Sequence, residues 1–307
     1  MLKVLITGGS GLLAVNWACF ARDTCDVVLA LHEKNVVLDG VKSAFIDLES
    51  RDGVLEVLNR ISPDVVVHAA GLTNVDKCQL NPKLAYHVNC ELAENVAFAC
   101  AKADVKLVYI STDHLFSGQD SLTCEDSRPQ PVNIYGESKL CAEHKVALLN
   151  SQALIIRTNF FGWGHQFRQS FSDWIYSNII NNKEITLFDD VYFTPILIDT
   201  LTKYVHELLA LNVSGIFNVV SDERISKYEF GLLLCERFGL SSHLIKLGNI
   251  SSVDLFAPRP NDMSLSNKKL KQILGVDSVS VLNQLDLLKF QFESGRAKEI
   301  KNAVRES

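Results

Sequence analysis

The chain has 307 residues, of which 47 % are hydrophobic and 21 % are charged, and its formal net charge is −6. A chain of this length can bury a large core and can form one large domain or two smaller ones. The acidic balance argues against a nucleic-acid partner bound through a basic surface. The N-terminus is predicted to be a first strand rather than a signal peptide, and no apolar run approaches the length of a membrane span. We therefore expect a cytoplasmic globular protein.

The eight cysteines are scattered without any Cys-x-x-Cys pair, and most of them lie among apolar neighbours. This distribution predicts buried free thiols in a reducing compartment. The eight histidines show no metal-ligand spacing. The sequence therefore predicts no metal site.

The first predicted strand, Leu2–Thr7, runs directly into a glycine-rich turn at 8–14, and a helical pattern follows at 14–22. The turn fits Gly-x-Gly-x-x-Ala from Gly9 and equally Gly-x-x-Gly-x-x-Ala from Gly8. Glycines suit this place because the backbone must approach a diphosphate closely, and the diphosphate then meets free N–H groups at the helix N-terminus. The order of strand, glycine turn and helix predicts a dinucleotide-binding site.

The second predicted strand, 26–31, ends without the acidic residue that usually holds the ribose 2′-hydroxyl of NAD. Leu31 occupies that position, and His32, Glu33 and Lys34 follow it. Either His32 or Lys34 can face a 2′-phosphate, and the alternative is that both belong to a solvated loop. The sequence thus favours NADP(H) over NAD(H) as the cofactor.

Strands and helices alternate through the next part of the chain, with strands at 42–46, 65–68, 106–110 and 153–157 and helices at 51–61 and 81–103. This alternation predicts the α/β class, with a doubly wound parallel sheet of the Rossmann type. The strand at 106–110 delivers Ser111, Thr112 and Asp113 to the carboxyl edge of the sheet. Ligands bind at that edge in open parallel sheets.

The regular alternation ends after Arg157, which predicts a smaller, mixed α/β lobe for the substrate. We expect the dinucleotide-binding domain at 1–160, with about 194–212 returning to it. The substrate-binding lobe is expected at 161–193 and 213–290, followed by a C-terminal tail at 291–307. Within the lobe, the pattern predicts strands at 185–193 and 216–220 and helices at 167–181, 227–238 and 267–274.

A predicted helix at 133–149 carries Tyr135 and Lys139 four positions apart. Residues at this spacing lie on the same face of a helix, one turn apart. A Tyr hydroxyl ordinarily titrates near ~10, and a nearby cation favours the phenolate, which lowers the pKa of the Tyr towards the range of a working acid or base. The same spacing also occurs by chance, so the pair gains meaning only from the other motifs.

Three motifs stand in one order: Thr-Gly-Gly-Ser-Gly-Leu-Leu-Ala at 7–14, Ser-Thr-Asp at 111–113 and Tyr-Gly-Glu-Ser-Lys at 135–139. Together they resemble the extended short-chain dehydrogenase/reductase family. The segments 68–76, 109–118, 131–140, 157–162 and 259–265 are similar to the dTDP-4-dehydrorhamnose reductase group of that family. Similar segments are frequent up to about Gly164 and rare after it.

The resemblance implies a catalytic set of Thr112, Tyr135 and Lys139. Tyr135 would protonate a carbonyl oxygen as hydride arrives from the nicotinamide, and Thr112 would hydrogen-bond the same oxygen. Lys139 would bind the nicotinamide ribose and lower the pKa of Tyr135. The expected cofactor-binding residues, besides Tyr135 and Lys139, are Gly8, Ser10, Gly11, Leu12, Leu13, His32, Asp47, Leu48, Ala69, Ala70 and Gly71. The expected substrate-binding residues are Thr73, His114, Phe160 and Arg259.

The activity that the resemblance implies is NAD(P)H-dependent reduction of a nucleotide-linked 4-keto-6-deoxy sugar by a homodimer. A sugar-nucleotide epimerase or dehydratase of the same family is an alternative, because it would use the same three residues. A second alternative is a non-catalytic nucleotide-binding regulatory subunit, like that of methionine adenosyltransferase. Phe160 stands where the rhamnose-type reductases have Trp, which leaves the sugar open. His114 and Phe116 either shape the sugar pocket or pack against the sheet edge.

Overall fold

The computed structural model describes residues 1–306, in which short buried strands alternate with helices. The strands are β1 (Leu2–Thr7), β2 (Cys25–Leu31), β3 (Asn35–Val36), β4 (Lys42–Phe45), β5 (Val65–His68), β6 (Lys106–Ile110), β7 (Leu154–Arg157), β8 (Phe160–Phe161), β9 (Ile185–Phe188), β10 (Tyr192–Phe193), β11 (Ile196–Leu197), β12 (Gly215–Asn218), β13 (Ile225–Ser226), β14 (Ile245–Gly248) and β15 (Val304–Arg305).

The helices are α1 (Leu12–Ala21), α2 (Arg51–Ile61), α3 (Val75–Leu80), α4 (Pro82–Tyr86), α5 (Leu92–Ala103), α6 (Ile134–Leu149), α7 (Phe171–Ile180), α8 (Ile198–Ala210), α9 (Lys227–Phe238), α10 (Lys268–Leu274), α11 (Val281–Glu293) and α12 (Arg296–Ala303). A π-helical turn, His87–Glu91, joins α4 to α5, and short 3₁₀ turns lie at Ser242–Leu244 and Ile250–Ser252.

Within residues 1–306, seven strands form one sheet in the order β4-β2-β1-β5-β6-β7-β12, and every neighbouring pair is parallel. The strand order reverses between β1 and β5. In doubly wound sheets a ligand crevice opens beyond the carboxyl ends of the strands at this switch point. The predicted α/β fold with a doubly wound parallel sheet is confirmed.

Helices cover both faces of the sheet, as a parallel sheet requires. Successive side chains of β1 point to opposite faces. Val4 and Ile6 join the hydrophobic core that contains α1 and α8, whereas Leu5 joins the core that contains α2, α5 and α6. The near-continuous apolar run of β1 is the sequence signature of this double burial.

The helix expected at 81–103 is interrupted by the π-helical turn at His87–Glu91. Asn89 lies in that turn, where its side-chain amide donates to the Leu72 carbonyl at 3.1 Å and to the Ser138 hydroxyl at 3.0 Å, while its Oδ1 accepts from the Leu72 N–H at 2.7 Å. These three hydrogen bonds join residues far apart in the sequence. The interruption therefore could not be found from helical periodicity.

The second half of the chain returns to the main sheet later than expected. Strand β12 lies in the range 213–290 that we assigned to the smaller lobe, yet it is the edge strand beside β7. The expected tail, 291–307, contains the last residues of α11, all of α12 and β15, and β15 pairs with β3. The division of the chain into two domains stays a prediction.

The expectation of free thiols is wrong for Cys90 and Cys141, which form a disulfide between the π-helical turn and α6. Their Cα atoms lie 5.8 Å apart because the two helical segments pack side by side. Among residues 1–306 the cysteines without a disulfide are Cys19, Cys25, Cys78, Cys100, Cys124 and Cys235.

No described helix combines the length and the apolar character that crossing a bilayer requires. The described residues also contain no group of three or more His, Cys, Asp or Glu side chains that could hold a metal ion.

Candidate active site

A cavity of about 440 Å³ lies at the carboxyl edge of the sheet, where the strand order reverses. Its walls are the segments that follow β1, β5, β6 and β7, together with the first turns of α6. The glycine turn, the segment 69–71 and the start of α6, which are all predicted to bind the cofactor, line this cavity. The predicted catalytic residues line it as well. The predicted site residues that line it are Gly8, Ser10, Gly11, Leu12, Leu13, Ala69, Ala70, Gly71, Thr73, Thr112, His114, Tyr135, Lys139 and Phe160.

Three predicted cofactor residues are not brought together with this set: the described lining of the cavity does not include His32, Asp47 or Leu48. The His32 ring is mostly exposed and stacks on Phe45 with ring centroids 6.4 Å apart. Lys34, the other candidate at this strand end, does line the cavity. Lys34 therefore places a cation in the cavity lining, close after the end of β2.

The glycine turn has the shape that a diphosphate site needs. Gly8 has a φ of +66°, and a Cβ there would lie 2.8 Å from the Cα of Ala70. The Gly11 N–H donates to the Gly8 carbonyl at 2.7 Å, which closes the turn immediately before α1. The first turn of α1 carries no acidic side chain, so its N–H groups face the cavity without a competing anion. These residues fit the diphosphate of a dinucleotide.

Tyr135 is held at the start of α6 by two local features. The Asn133 side chain accepts a hydrogen bond from the Gly136 N–H at 2.8 Å and thereby caps the helix. Gly136 packs directly against the His114 carbonyl, where a Cβ would overlap it. Burial raises the pKa of Tyr135 to about 12, although the Thr112 hydroxyl and the Arg168 guanidinium act in the opposite direction. At neutral pH the side chain is therefore a protonated phenol.

Lys139 is buried one helical turn further along α6. Its Nζ donates to the Ile110 carbonyl at 2.7 Å and lies 4.3 Å from the centre of the Tyr109 ring. Burial lowers the pKa of Lys139 to about 7, and the Glu143 carboxylate opposes this shift. The expected lowering of the Tyr135 pKa is absent from this arrangement of residues 1–306, because desolvation of the phenol outweighs the neighbouring groups that favour its phenolate.

Thr112 follows β6 and belongs to a buried polar cluster. Its hydroxyl donates to Asp113 Oδ1 at 3.2 Å and accepts from the His114 N–H at 3.2 Å. The second oxygen of Asp113 accepts a hydrogen bond from the Asn159 amide. Near this carboxylate lies Lys227, where burial lowers the pKa to about 8 while the charge of Asp113 opposes the shift. The hydroxyl is therefore held by its own segment, 112–114, while Asn159 and Lys227 act on the Asp113 carboxylate that it contacts.

A second buried network lies behind Lys139. Glu143 accepts a hydrogen bond from the Ser111 hydroxyl at 2.5 Å and bonds from Arg157 Nη2 at 2.8 Å and Nε at 3.0 Å. Both charged side chains are 2 % exposed. This network connects the end of β6 to α6 and to β7. Thr112 follows β6 and Lys139 lies on α6, so the network helps to fix both residues.

A second cavity, of about 340 Å³, adjoins the first and shares Val75, His114 and Asn159 with it. The remaining lining combines aromatic rings, such as Trp174, with the cations Lys227 and Arg259. The guanidinium of Arg259, a predicted substrate residue, pairs with Asp76 at 2.8 Å.

Several residues of the two cavities were not singled out by the sequence. Asn159 could have been found, because it follows a predicted buried strand at the ligand edge of the sheet. Lys227 is the first residue of α9, and no motif in the sequence around it indicates a functional site. Other residues of the first cavity without a predicted role include Val75, Asn89, His165, Phe167 and Arg168.

Comparison with known proteins agrees with this geometry. The family model described as the RmlD substrate binding domain matches residues 2–288. A probable low-salt glycan biosynthesis reductase, Agl14, of Haloferax volcanii is 29 % identical over 296 residues, which covers 95 % of this chain and 98 % of the relative. A dTDP-4-dehydrorhamnose reductase of Sinorhizobium fredii is 26 % identical over 287 residues, covering 90 % and 92 % of the two chains.

Among solved structures, the chain shares its fold with dTDP-4-dehydrorhamnose reductase of Bacillus anthracis, which was crystallised in complex with NADP. The TM-score is 0.81 and the sequence identity is 23 %, with 95 % of this chain and 100 % of the other covered. The switch-point cavity and the order of the three motifs agree with the family match. The chain belongs to the RmlD substrate-binding domain family, within the extended short-chain dehydrogenases/reductases.

Proposed function

We propose that the protein is an NAD(P)H-dependent reductase of a nucleotide-linked 4-keto-6-deoxy sugar. The observation that carries this proposal is the meeting of Thr112, Tyr135 and Lys139 in a cavity that also contains the glycine turn. A glycine turn alone would support nucleotide binding without chemistry. A buried phenol at the same cavity, with a hydroxyl and an ammonium beside it, adds the parts of a carbonyl reduction.

The nicotinamide cofactor would supply hydride to the carbonyl carbon. Tyr135 gives the matching proton to the carbonyl oxygen, so the product is an alcohol and the Tyr is left as a phenolate. Because burial raises its pKa to about 12, the phenol carries its proton at neutral pH. It can give that proton to the alkoxide that hydride transfer creates, because an alkoxide is a stronger base than the phenolate. The high pKa also makes the phenolate a strong base, which regains a proton readily.

Thr112 and Lys139 support this transfer from two sides. Thr112 orients the carbonyl oxygen through its hydroxyl and stabilises negative charge that develops there. Lys139 provides a buried ammonium for the ribose hydroxyls of the cofactor. Below its pKa of about 7 that ammonium is charged, and it also favours the phenolate that Tyr135 becomes.

The cofactor residues that we propose are the glycine turn and the small residues Ala69, Ala70 and Gly71, which line the same cavity. Lys34 supports a preference for NADP(H), because an ammonium in the lining can pair with a 2′-phosphate. The NADP complex of the Bacillus anthracis relative supports a nicotinamide cofactor in general.

The substrate class is inferred from the second cavity and from the relatives. Aromatic rings beside Lys227 and Arg259 suit a nucleoside diphosphate, since rings stack on a base and cations pair with phosphates. Phe160 lines the first cavity in the place of the Trp of rhamnose-type reductases, so the sugar differs or is held differently. A homodimer stays a prediction that analytical ultracentrifugation would test.

The test is a screen of 4-keto-6-deoxy sugars linked to dTDP, UDP and GDP, with loss of reduced-nicotinamide absorbance as the readout. We expect stoichiometric oxidation of NADPH with at least one of them. Interconversion of sugars without net oxidation would instead indicate an epimerase. Measurable cofactor binding without turnover of any sugar would contradict the proposal and favour the regulatory-subunit alternative.

A further inference from the structure

The second cavity contains two cations, Lys227 and Arg259, and their surroundings differ. Arg259 is paired: its Nη2 and Nη1 donate to the two carboxylate oxygens of Asp76 at 2.8 and 3.1 Å, and Nη1 also donates to the Ala257 carbonyl at 2.8 Å. Lys227 is half-buried, and its Nζ forms no hydrogen bond or salt bridge among residues 1–306. This atom is not fully buried, so it has surface open to the cavity that the side chain lines.

The ammonium of Lys227 lies against aromatic rings. Nζ is 3.3 Å from the centre of the Phe193 ring and 4.7 Å from that of Phe171. The Asp113 carboxylate acts on it electrostatically, but both oxygens of that carboxylate already accept hydrogen bonds from other groups. Burial lowers the pKa of Lys227 to about 8, so the side chain remains mainly protonated at pH 7. A half-buried cation without a hydrogen-bond acceptor favours an anionic ligand.

Lys227 lies where the second cavity adjoins the first. Its charge acts on Asp113, which lines the first cavity, and on His114, which lines both. A nucleotide-linked sugar with its carbonyl group at Tyr135 and its base against Trp174 would extend through both cavities. Its diphosphate joins these two parts, and the phosphate attached to the sugar is the one next to the catalytic cavity. The position of Lys227 between the two cavities therefore matches the sugar-linked phosphate.

We propose that the ammonium of Lys227 binds the sugar-linked phosphate of the substrate, while Arg259 stays paired with Asp76. This inference deepens the proposed function and rests on it, because a nucleotide-linked sugar brings such a phosphate to this place. Binding costs Lys227 no hydrogen bond or salt bridge, since its Nζ forms none among residues 1–306. The contact fixes the phosphate relative to the catalytic cavity, so Lys227 also helps to place the carbonyl group at Tyr135.

Two substitutions separate the charge of Lys227 from its packing. Lys227→Met removes the ammonium but keeps a long, flexible side chain that packs well against the aromatic rings. Lys227→Arg keeps a positive charge at the same place. Lys203→Met is the matched control, because the Lys203 ammonium also lies near a ring, 5.6 Å from the centre of Tyr204, but outside the described lining of both cavities.

The measurement is isothermal titration calorimetry of the full chain in saturating NADP⁺ with dTDP, UDP and GDP and with the corresponding monophosphates, which lack the phosphate in question. The diphosphate that the wild type binds most tightly is compared with its monophosphate. We expect Lys227→Met to weaken the diphosphate at least ~10-fold, the size of a lost hydrogen bond to a charged group, and the monophosphate less than ~3-fold. Lys227→Arg should keep the diphosphate within ~3-fold of the wild type. Lys203→Met should change neither, and the unfolding temperature of Lys227→Met should equal that of the wild type.

An unchanged diphosphate affinity in Lys227→Met would overturn this inference and leave the proposed function standing. Loss of diphosphate and monophosphate binding by the same factor, with a lower unfolding temperature, would assign Lys227 to the packing of the cavity wall and would also overturn it. A wild-type protein that binds none of the three diphosphates would refute the proposed substrate class and this inference together.

Discussion

The carboxylate of Glu143 lies one helical turn beyond the ammonium of Lys139 on α6, and both side chains are at least 94 % buried, with exposures of 2 % and 6 %. Glu143 is bound by Arg157 and Ser111, so its charge is held in place. In this low-dielectric interior the carboxylate opposes the loss of charge that burial imposes on Lys139. The relationship predicts how activity depends on pH.

Glu143→Gln should move the alkaline limb of kcat/KM to lower pH. Lys139 is charged below its pKa of about 7 and neutral above it, so activity that needs the ammonium falls as the pH rises through that value. Removing the carboxylate removes an interaction that raises this pKa, and the fall should begin earlier. Glu137→Gln is the control on the same helix, where the carboxylate contacts the Tyr86 hydroxyl. Superimposable profiles of wild type and Glu143→Gln would contradict the prediction.

The same substitution should also destabilise the fold, because it leaves the guanidinium of Arg157 buried without its anion. Breaking a buried ion pair by removing one partner costs about 3–5 kcal/mol. Chemical denaturation of wild type and Glu143→Gln would measure the free energy of unfolding. A change below about 1 kcal/mol would show that water or other groups compensate Arg157.

Tyr135→Phe should lower turnover by at least ~100-fold, the usual effect of losing a positioned general acid. The ring remains, so the NADPH dissociation constant should change little. The control is Tyr204→Phe on α8, which does not belong to the described lining of either cavity. Stopped-flow measurement of NADPH oxidation with the sugar found in the screen gives the comparison. Near-normal turnover in Tyr135→Phe would refute the assigned proton donor.

Lys139→Met should weaken both cofactor binding and turnover, because the buried ammonium would bind the nicotinamide ribose. Met fills a similar volume beside the Tyr109 ring without the charge. Fluorescence titration with NADPH measures binding, and single-turnover kinetics measure the chemical step. An unchanged dissociation constant would limit Lys139 to an electrostatic role in the transfer.

Lys34→Gln should weaken NADPH binding about 5-fold and leave NADH binding unchanged, since a partly exposed ion pair contributes up to about 1 kcal/mol. His32→Gln is the matched control, because its ring is mostly exposed on Phe45 and outside the described cavity lining. The measurement is the dissociation constant of the wild type, Lys34→Gln and His32→Gln for NADPH and for NADH. A larger effect of His32→Gln than of Lys34→Gln would reverse the assignment.

The sequence predicted the bounds of helices and strands correctly where the residues that determine those bounds lie within the element itself. The ends of β1, α2, β5, β6 and α9 agree with the expected ranges, because apolar periodicity, caps and breakers lie within the elements themselves. The helical segment expected at 81–103 is present, but the pattern did not show its π-helical turn, where Asn89 is bound by residues outside the segment, Leu72 and Ser138. Strand β12 was expected in the other lobe because its pairing with β7 joins residues about sixty positions apart.

The sequence by itself determined the fold class, through the alternation of strands and helices, and the glycine turn, through a contiguous motif. It also gave the candidate set of Thr112, Tyr135 and Lys139, because two further motifs resemble those of a known family. Only the tertiary structure decided which groups surround them: Glu143 with Arg157 behind Lys139, and Asp113 with Asn159 beside Thr112. It also decided that Lys34 rather than His32 lines the cavity, and that His165, Phe167 and Arg168 line the same cavity as the glycine turn. Burial and charge at a site are sums over segments that are distant in sequence, so a linear motif cannot specify them.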